Sequence, residues 1–213
     1  MTAPTKPHPR FARMYMRSAA AAEERGATDH RRRLLEGLRG TVVEIGAGHG
    51  LNFPLYPPEV SEVIAIEPEP TLRSQAESAA KSARVPISVL AGVADELPLE
   101  DESVDAAVAS LVLCSVPDQS RAFAEIRRVL RPGGELRFYE HVIPQRQPKR
   151  ALFQAIDRTG IWPAIAGGCH AARDTTDAIM QAGFDIEEIE RFDFSANRFQ
   201  PLVPHILGAA RRV

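Results

Sequence analysis

The chain is poor in cysteine, the residue that holds many small extracellular folds together. Its 213 residues include only Cys114 and Cys169, and no Cys-x-x-Cys pair is present. Two cysteines cannot build a disulfide framework, and without Cys-x-x-Cys spacing the sequence predicts no metal site. We therefore expect a protein of the reducing cytoplasm, stabilised by an ordinary hydrophobic core.

Long apolar runs and a strong net charge are also missing. No uninterrupted apolar stretch approaches the roughly 20 residues of a membrane span, and the amino terminus lacks a charged-then-apolar secretory signal. The formal net charge is −2, which gives no reason to expect nucleic acid as a partner. Clusters of arginine such as Arg31-Arg32-Arg33 are interpreted as solvated helix faces or chain ends. We expect a soluble protein without an integral membrane segment.

The length of the chain suits one well-packed domain. We predict an N-terminal arm and two helices in residues 1–40, with the helices over residues 11–25 and 28–38, where they could form a lid. The main domain then covers residues 41–213, with an insertion at about residues 143–172. The oligomeric state is left open.

The stretch from Thr41 to Gly50 reads as a buried first strand that runs into a tight loop. Gly46, Gly48 and Gly50 stand at alternate positions, and glycine lets a backbone turn sharply and approach a ligand closely. Such loops at the carboxyl end of a parallel strand bind nucleotide-like ligands. The third glycine comes one residue too early for the dinucleotide fingerprint, which disfavours a nicotinamide dehydrogenase. Taken alone, the loop is as consistent with a simple strand-to-helix turn.

Strands and helices then alternate along the chain. This alternation is typical of an α/β fold with a doubly wound parallel sheet, and the last two strands should pair as an antiparallel hairpin at the sheet edge. The predicted strands after the first cover residues 63–67, 85–91, 104–109, 135–142, 184–189 and 205–212, and the predicted helices cover residues 70–81, 118–131 and 173–181.

Four features follow one another along these strands and loops: VEIGAGHG (residues 43–50), Glu67 at the end of the second strand, ADELP (94–98) and RVLRPGG (128–134). In this order they resemble the motifs of class I methyltransferases that depend on S-adenosylmethionine (SAM). The resemblance implies a Rossmann-like seven-stranded sheet, SAM as cofactor and methyl transfer to a small-molecule acceptor.

A second set of motifs lies around and beyond the fourth and fifth predicted strands: YPP (56–58), LVLCSV (111–116), EHV (140–142), GCH (168–170) with Arg173, and PHI (204–206). These motifs are similar to those of the alkyl-thiol S-methyltransferases and their bacterial relatives, and the resemblance implies a thiol acceptor. Animal members of that family carry an amino-terminal membrane anchor, whereas this chain begins with a polar, proline-bearing arm, so we do not carry membrane association over.

The resemblance also implies which residues hold SAM. Glu67 can accept both ribose hydroxyls, Pro68 would wall the adenine, and Asp95 is expected at its exocyclic amine with the Ala94 amide at a ring nitrogen. Glu44 would orient the glycine loop or meet the ammonium group through water. The full predicted set is Glu44, Gly46, Gly48, Gly50, Asn52, Glu67, Pro68, Ala94, Asp95 and Leu111.

The sequence constrains the methyl acceptor less than it constrains the cofactor. A thiol of pKa about 8.5 must become thiolate, and His141, at the end of the fifth strand, is our first choice of general base; His170 and His205 are second choices. A structural hydrogen-bonding role is the alternative for each. The loop 111–116 holds no Asp and no Asn-Pro-Pro, which argues against metal-dependent catechol chemistry and against methylation of amide or nucleobase amino groups. The remaining alternatives are O- or N-methylation of a metabolite or lipid head group, and SAM binding without catalysis.

Overall fold

The fold is a seven-stranded sheet in the part of the chain that the computed structural model describes, residues 8–165, 167–196 and 201–213. The strand order is β3-β2-β1-β4-β5-β7-β6, with β1 to β5 parallel and β7 antiparallel to both of its neighbours. The predicted doubly wound sheet with a terminal hairpin is confirmed. The strands are β1 Gly40–Ile45, β2 Val60–Ile66, β3 Ile87–Leu90, β4 Val104–Ser110, β5 Leu130–His141, β6 Phe184–Phe194 and β7 Val203–Arg212.

Helices cover both faces because the central strands are apolar on both sides. On β1, Val43 and Ile45 belong to one core cluster, together with residues of α4 and α7, and Val42 belongs to the other, together with residues of α2 and α3. The helices are α1 Pro9–Glu23, α2 Ala27–Leu35, α3 Pro70–Ala80, α4 Gln119–Val129, α5 Lys149–Arg158, α6 Ile161–Ile165 and α7 Thr175–Gln181, with a 3₁₀ turn at Phe53–Leu55.

Several boundaries differ from their sequence predictions, and at two places the contacts give the reason. Asp118, the first residue of the helix predicted over residues 118–131, caps α4 by accepting from the Arg121 amide at 3.0 Å, but the helix ends before the Pro-Gly-Gly turn because Leu130 already pairs with Val104 of β4. Asn52 precedes the 3₁₀ turn but makes no capping bond. Its side chain instead donates to Glu44, because that buried carboxylate is the stronger acceptor.

The insertion between β5 and α7 carries α5 and α6. Helix α5 buries none of its side chains fully, and Leu152 and Ile156 on it are exposed. The insertion therefore lies on the surface beside the carboxyl ends of the parallel strands.

No helix in the described ranges combines the length and apolar character needed to cross a membrane.

Candidate active site

A cavity of about 270 Å³ lies at the carboxyl ends of the parallel strands. This edge is where open α/β sheets bind ligands, since the loops after several strands meet there. Helix α1 contributes Phe11 and Tyr15 to its wall, so a helix predicted as part of a lid does border the cavity. The strand-end residues that line it are Gly46 and Gly48 after β1, Glu67 to Glu69 after β2, Gly92 to Asp95 after β3, and Leu111, Val112 and Ser115 to Pro117 after β4.

The glycine loop forms one wall of this cavity with bare backbone. Gly46 has φ 66° and Gly48 has φ 59°, a region that side chains rarely tolerate. A Cβ atom at Gly46 would approach Val112 Cγ2 to 2.4 Å, and one at Gly48 would approach the Tyr15 hydroxyl to 2.9 Å. The predicted need for glycine at these two positions is therefore steric as well as conformational.

Glu67 presents a buried carboxylate to the same cavity. One oxygen accepts from the Gly48 amide at 2.7 Å and the other from the Glu69 amide at 2.9 Å. Burial raises the pKa of Glu67 to about 7, although these two bonds favour the charged form. A carboxylate has about four acceptor positions, so two remain for ligand hydroxyls. Its geometry fits the predicted ribose contact.

Glu44 and Asn52 lie behind the glycine loop, and neither they nor Gly50 are among the residues that line the cavity. Glu44 accepts from the Asn52 side-chain amide at 2.8 Å and from the Tyr56 hydroxyl at 2.7 Å. Because its oxygens are directed at these partners, Glu44 braces the loop from behind. Of the two roles predicted for Glu44, this geometry fits the orientation of the glycine loop, and Asn52, predicted to bind the cofactor, bonds to Glu44 instead.

Arg31 completes this network, and its interpretation as part of a solvated helix face is wrong. The side chain is 7% exposed, and Nε contacts Glu23 at 2.9 Å. Its Nη1 donates to Ser110 Oγ at 3.0 Å and to Asn52 Oδ1 at 3.3 Å. The sequence did carry a signal: Leu34, Leu35 and Leu38 follow Arg31 at helical spacing, so Arg31 shares their apolar stripe.

The loop after β4 is held by a carboxylate that the sequence reasoning missed. Glu140, fully buried on β5, accepts from the amides of Val112, Leu113 and Cys114 at 2.9–3.1 Å. Burial raises the pKa of Glu140, and these three bonds oppose that shift. Leu111, at the start of the loop, has φ 57°, an uncommon conformation that clusters at functional sites. An acid in an otherwise apolar strand end was the available signal for Glu140.

None of the three predicted catalytic histidines is among the residues that line the cavity. His170 Nδ1 lies 3.0 Å from Asp157 Oδ2. His205 is buried, with Nδ1 2.7 Å from the Val203 carbonyl, and it lines a separate cavity of about 740 Å³ beneath α5. Burial and the nearby His141 lower the pKa of His205 to about 3, so this ring is neutral. The ring centroids of His141 and His205 lie 4.5 Å apart, but His170 is bonded to Asp157 and none of the three borders the cavity.

His141 contacts both cysteines of the chain. Its Nδ1 lies 3.6 Å from Cys114 Sγ and 3.4 Å from Cys169 Sγ. The hydrogen bond from Cys114 lowers the pKa of Cys169 to about 5, with help from His141 and against the effect of burial. The sequence predicted no functional role for either cysteine. We call Cys114, His141 and Cys169 the sulfur cluster.

Comparisons with known proteins decide what the cavity binds. Residues 43–138 match the methyltransferase domain family. The chain is 35% identical over 183 residues to thiol S-methyltransferase TMT1B of Mus musculus, covering 83% of this chain and 73% of that protein. It is 32% identical over 175 residues to thiol S-methyltransferase TMT1A of Homo sapiens, covering 80% of this chain and 70% of that protein. The chain belongs to the class I SAM-dependent methyltransferases.

A solved structure agrees with this assignment at the level of the fold. A SAM-dependent methyltransferase from Thermotoga maritima superimposes with a TM-score of 0.67 at 23% identity, covering 96% of this chain and 97% of that one. As a member of this family, the present chain uses SAM as its cofactor. The bare glycine backbone and the two free acceptor positions of Glu67 suit a ligand with an amino-acid portion and a ribose.

Proposed function

We propose that this methyltransferase transfers the methyl group of SAM to the sulfur of a small apolar thiol. The observation that carries the proposal is the character of the loop after β4, where the cavity is bordered by Leu111, Val112 and Val116. The carboxylates of the described cavity wall, Glu67, Glu69 and Asp95, all follow β2 and β3. The end of the cavity near β4 therefore offers apolar contact and no side-chain base.

A thiol is the acceptor that needs least help from such a wall. With an unperturbed pKa of about 8.5, roughly a tenth of a thiol is already thiolate at pH 7.5. An alcohol is almost fully protonated at that pH, so its methylation calls for a base within hydrogen-bond reach. The thiol S-methyltransferases to which this chain is similar support the same choice.

The cofactor roles are proposed in two layers. The residues that would hold the glycine loop in shape are Glu44, Gly50 and Asn52. The residues that would contact SAM itself are Gly46, Gly48, Glu67, Pro68, Ala94, Asp95 and Leu111. When bound, SAM supplies a methyl group on a sulfonium sulfur, which keeps the bonding electron pair as the acceptor sulfur attacks. The protein's part is to align the two sulfurs with the methyl carbon and to exclude water.

We propose a different role for His141 from the predicted general base. Its Nδ1 is engaged by the two thiols of the sulfur cluster, so His141 would position Cys114 and Cys169 beside the acceptor end of the cavity. His170 and His205 would have structural roles, because each is bonded away from the cavity.

The substrate claim is tested with an alkyl thiol, the alcohol and the amine of the same chain length, each incubated with SAM. Mass spectrometry of the methylated product should show thiol turnover at least about tenfold above the other two, since the thiol gives its nucleophilic anion far more readily than the alcohol does, and protonation blocks the lone pair of the amine. Equal turnover of the alcohol or the amine would contradict the proposal. Calorimetric binding of SAM without any turnover would instead indicate a non-catalytic SAM-binding protein.

The cofactor claim is tested with Glu67→Gln. The substitution removes the charge and turns an NH₂ group toward a backbone amide, which should weaken binding of the demethylated cofactor by about 10- to 100-fold. Isothermal titration calorimetry measures this directly. Glu62→Gln, on the exposed side of β2, is the matched control and should bind as the wild type does. Unchanged affinity in Glu67→Gln would remove the proposed ribose contact.

A further inference from the structure

The sulfur cluster brings three metal-ligating side chains to one point. The Nδ1 of His141 and the Sγ atoms of Cys114 and Cys169 all lie within 4.8 Å of one another. Cys114 comes from the loop after β4, His141 from the end of β5 and Cys169 from the insertion, 27 and 28 residues from His141. The sequence predicted no metal because these spacings match no short ligand motif.

The distances fit a tetrahedral zinc ion. Zn–S bonds are about 2.3 Å long and Zn–N bonds about 2.0–2.1 Å. At the tetrahedral angle, a sulfur ligand and a nitrogen ligand of the same zinc ion are therefore about 3.6 Å apart. The observed S···N separations are 3.4 and 3.6 Å. The two nitrogen–sulfur edges therefore already have the length that such a site requires, and the two sulfurs lie within 4.8 Å of each other.

Hydrogen bonding alone explains the cluster less well. A neutral imidazole nitrogen carries either one proton or one lone pair, yet both sulfurs lie at hydrogen-bond distance from the same Nδ1 atom. At most one of these contacts can be a well-directed hydrogen bond. A cation between the three atoms would be bound by all of them at once.

The surrounding backbone holds the ligands in place. Glu140 accepts from the Cys114 amide at 3.1 Å, and the His170 amide, next to Cys169, donates to the Cys114 carbonyl at 2.8 Å. Such bonds to the chain around a metal ligand fix its orientation. Both cysteines are buried, with Cys114 1% and Cys169 6% exposed.

We propose that Cys114, His141 and Cys169 form a three-ligand site for a thiophilic divalent cation such as Zn²⁺. Three protein ligands with one open position are typical of catalytic rather than structural zinc. The site borders the cofactor cavity, because Ser115 and Gly167 line that cavity while their near neighbours Cys114 and Cys169 supply ligands.

The open position gives the site a use that rests on the proposed function. A thiol that coordinates Zn²⁺ loses its proton to solvent, so the acceptor would be held as thiolate near neutral pH. No base among the residues of the cavity wall would then be required. Metal binding itself is independent of whether the acceptor is a thiol.

The first test is metal content and spectroscopy of the full chain, purified under reducing conditions. We expect about one zinc ion per chain by mass spectrometry. Replacing zinc by Co²⁺ should give intense visible absorption from tetrahedral cobalt and a thiolate-to-cobalt charge-transfer band in the near ultraviolet. Absence of bound zinc together with absence of the charge-transfer band would overturn the proposal.

Variants then assign the ligands. Cys169→Ser and His141→Ala should each weaken Zn²⁺ binding by more than about 100-fold, since loss of a direct ligand costs at least as much as loss of its supporting contacts. His170→Ala, the adjacent histidine bonded to Asp157, is the matched control and should retain zinc. Circular dichroism and binding of the demethylated cofactor verify that each variant is folded. Folded ligand variants that keep wild-type zinc affinity would contradict the site.

The two proposals can fail separately. Zinc binding without preferential thiol turnover would keep the metal site and refute the thiol acceptor. Thiol turnover by chain that binds neither zinc nor cobalt would keep the proposed function and refute the metal site.

Discussion

The cofactor side and the acceptor side of this methyltransferase are built in different ways. On the cofactor side, Glu67 bonds to amides 2 and 19 residues away, and Glu44 bonds to side chains 8 and 12 residues away. On the acceptor side, Glu140 reaches back 26 to 28 residues to the loop after β4, and Arg173 donates to the Leu113 carbonyl across 60 residues. The cofactor side is therefore a local motif, held by contacts between residues close in sequence. The acceptor side is held by contacts between distant residues that the sheet brings together.

This difference explains why the cofactor was easier to predict than the acceptor. A local motif specifies its own shape, so proteins with different acceptors can share it. The acceptor side depends on how β4, β5 and the insertion pack together, and small changes in any of them alter it. Breaking one contact on each side should therefore separate effects on the fold and cofactor from effects on turnover.

The largest expected effect is on the cofactor side, from Arg31→Ala. The substitution leaves the buried Asn52 and Ser110 without their donor and Glu23 without its ion partner, so the free energy of unfolding should fall by about 3–5 kcal/mol. Denaturant titration measures the change.

Arg32→Ala is the control for this measurement. Arg32 is 62% exposed and pairs with the exposed Asp29, so its loss should change the free energy of unfolding by less than about 1 kcal/mol. Equal effects of the two substitutions would restore the interpretation of this arginine cluster as a solvated helix face.

A smaller effect is expected in the pH dependence of stability. Burial raises the pKa of Glu44 to about 7 in the folded protein from a model-peptide value of 4.5. A raised pKa means that the folded state binds the proton more tightly, so the stabilisation is complete below pH 4.5 and is lost as the pH rises through 7. Between pH 5 and pH 8 the wild type should lose about 2 kcal/mol more than Glu44→Gln.

Thermal and chemical unfolding at several pH values would measure this slope. Glu67, with a similarly raised pKa, remains in the variant, so the dependence should flatten without vanishing. The exposed Glu59→Gln is the control and should keep the wild-type slope. An unchanged slope in Glu44→Gln would mean that Glu44 titrates near its ordinary pKa.

The doubly wound parallel sheet, the terminal hairpin and the position of the cofactor cavity were predictable because each follows from patterns within single strands, helices and loops. Residues 42–45, apolar except for Glu44, run directly into the glycine loop, and Glu67 directly follows the apolar residues 63–66 of β2. Helix α4 was found from its Asp118 cap and apolar spacing. Strand β6 was predicted too short because the adjacent charged residues Glu190 and Arg191 interrupt the apolar–polar alternation, whereas the strand continues to Phe194 and pairs with β7.

The contacts that sequence reasoning missed join residues that only the folded sheet brings together. The sulfur cluster is the clearest case, since neither Cys114 nor Cys169 was given a role from the sequence and His141 was predicted only as a general base. Nothing in the local sequence of either indicates that Cys169 lies against both. Arg31 and Glu140 were missed for a related reason: their charge suggests solvent, whereas fixed partners within the fold permit their burial.

The smallest expected effect is the one that tests the acceptor side alone, Glu140→Gln. The amide keeps one acceptor oxygen for the amides of Val112 to Cys114, but its NH₂ group faces a donor, so the loop should loosen at a cost of about 1–2 kcal/mol. If this loop aligns the acceptor, thiol turnover should fall about tenfold, a barrier increase of about 1.4 kcal/mol, while calorimetric affinity for the demethylated cofactor changes less. Glu135→Gln, in the middle of β5 and paired with Arg137, controls for a general effect on the strand. A larger loss of cofactor affinity than of turnover would show that the loop after β4 supports the cofactor. That loop would then belong to the cofactor side, and the acceptor side would begin after β4.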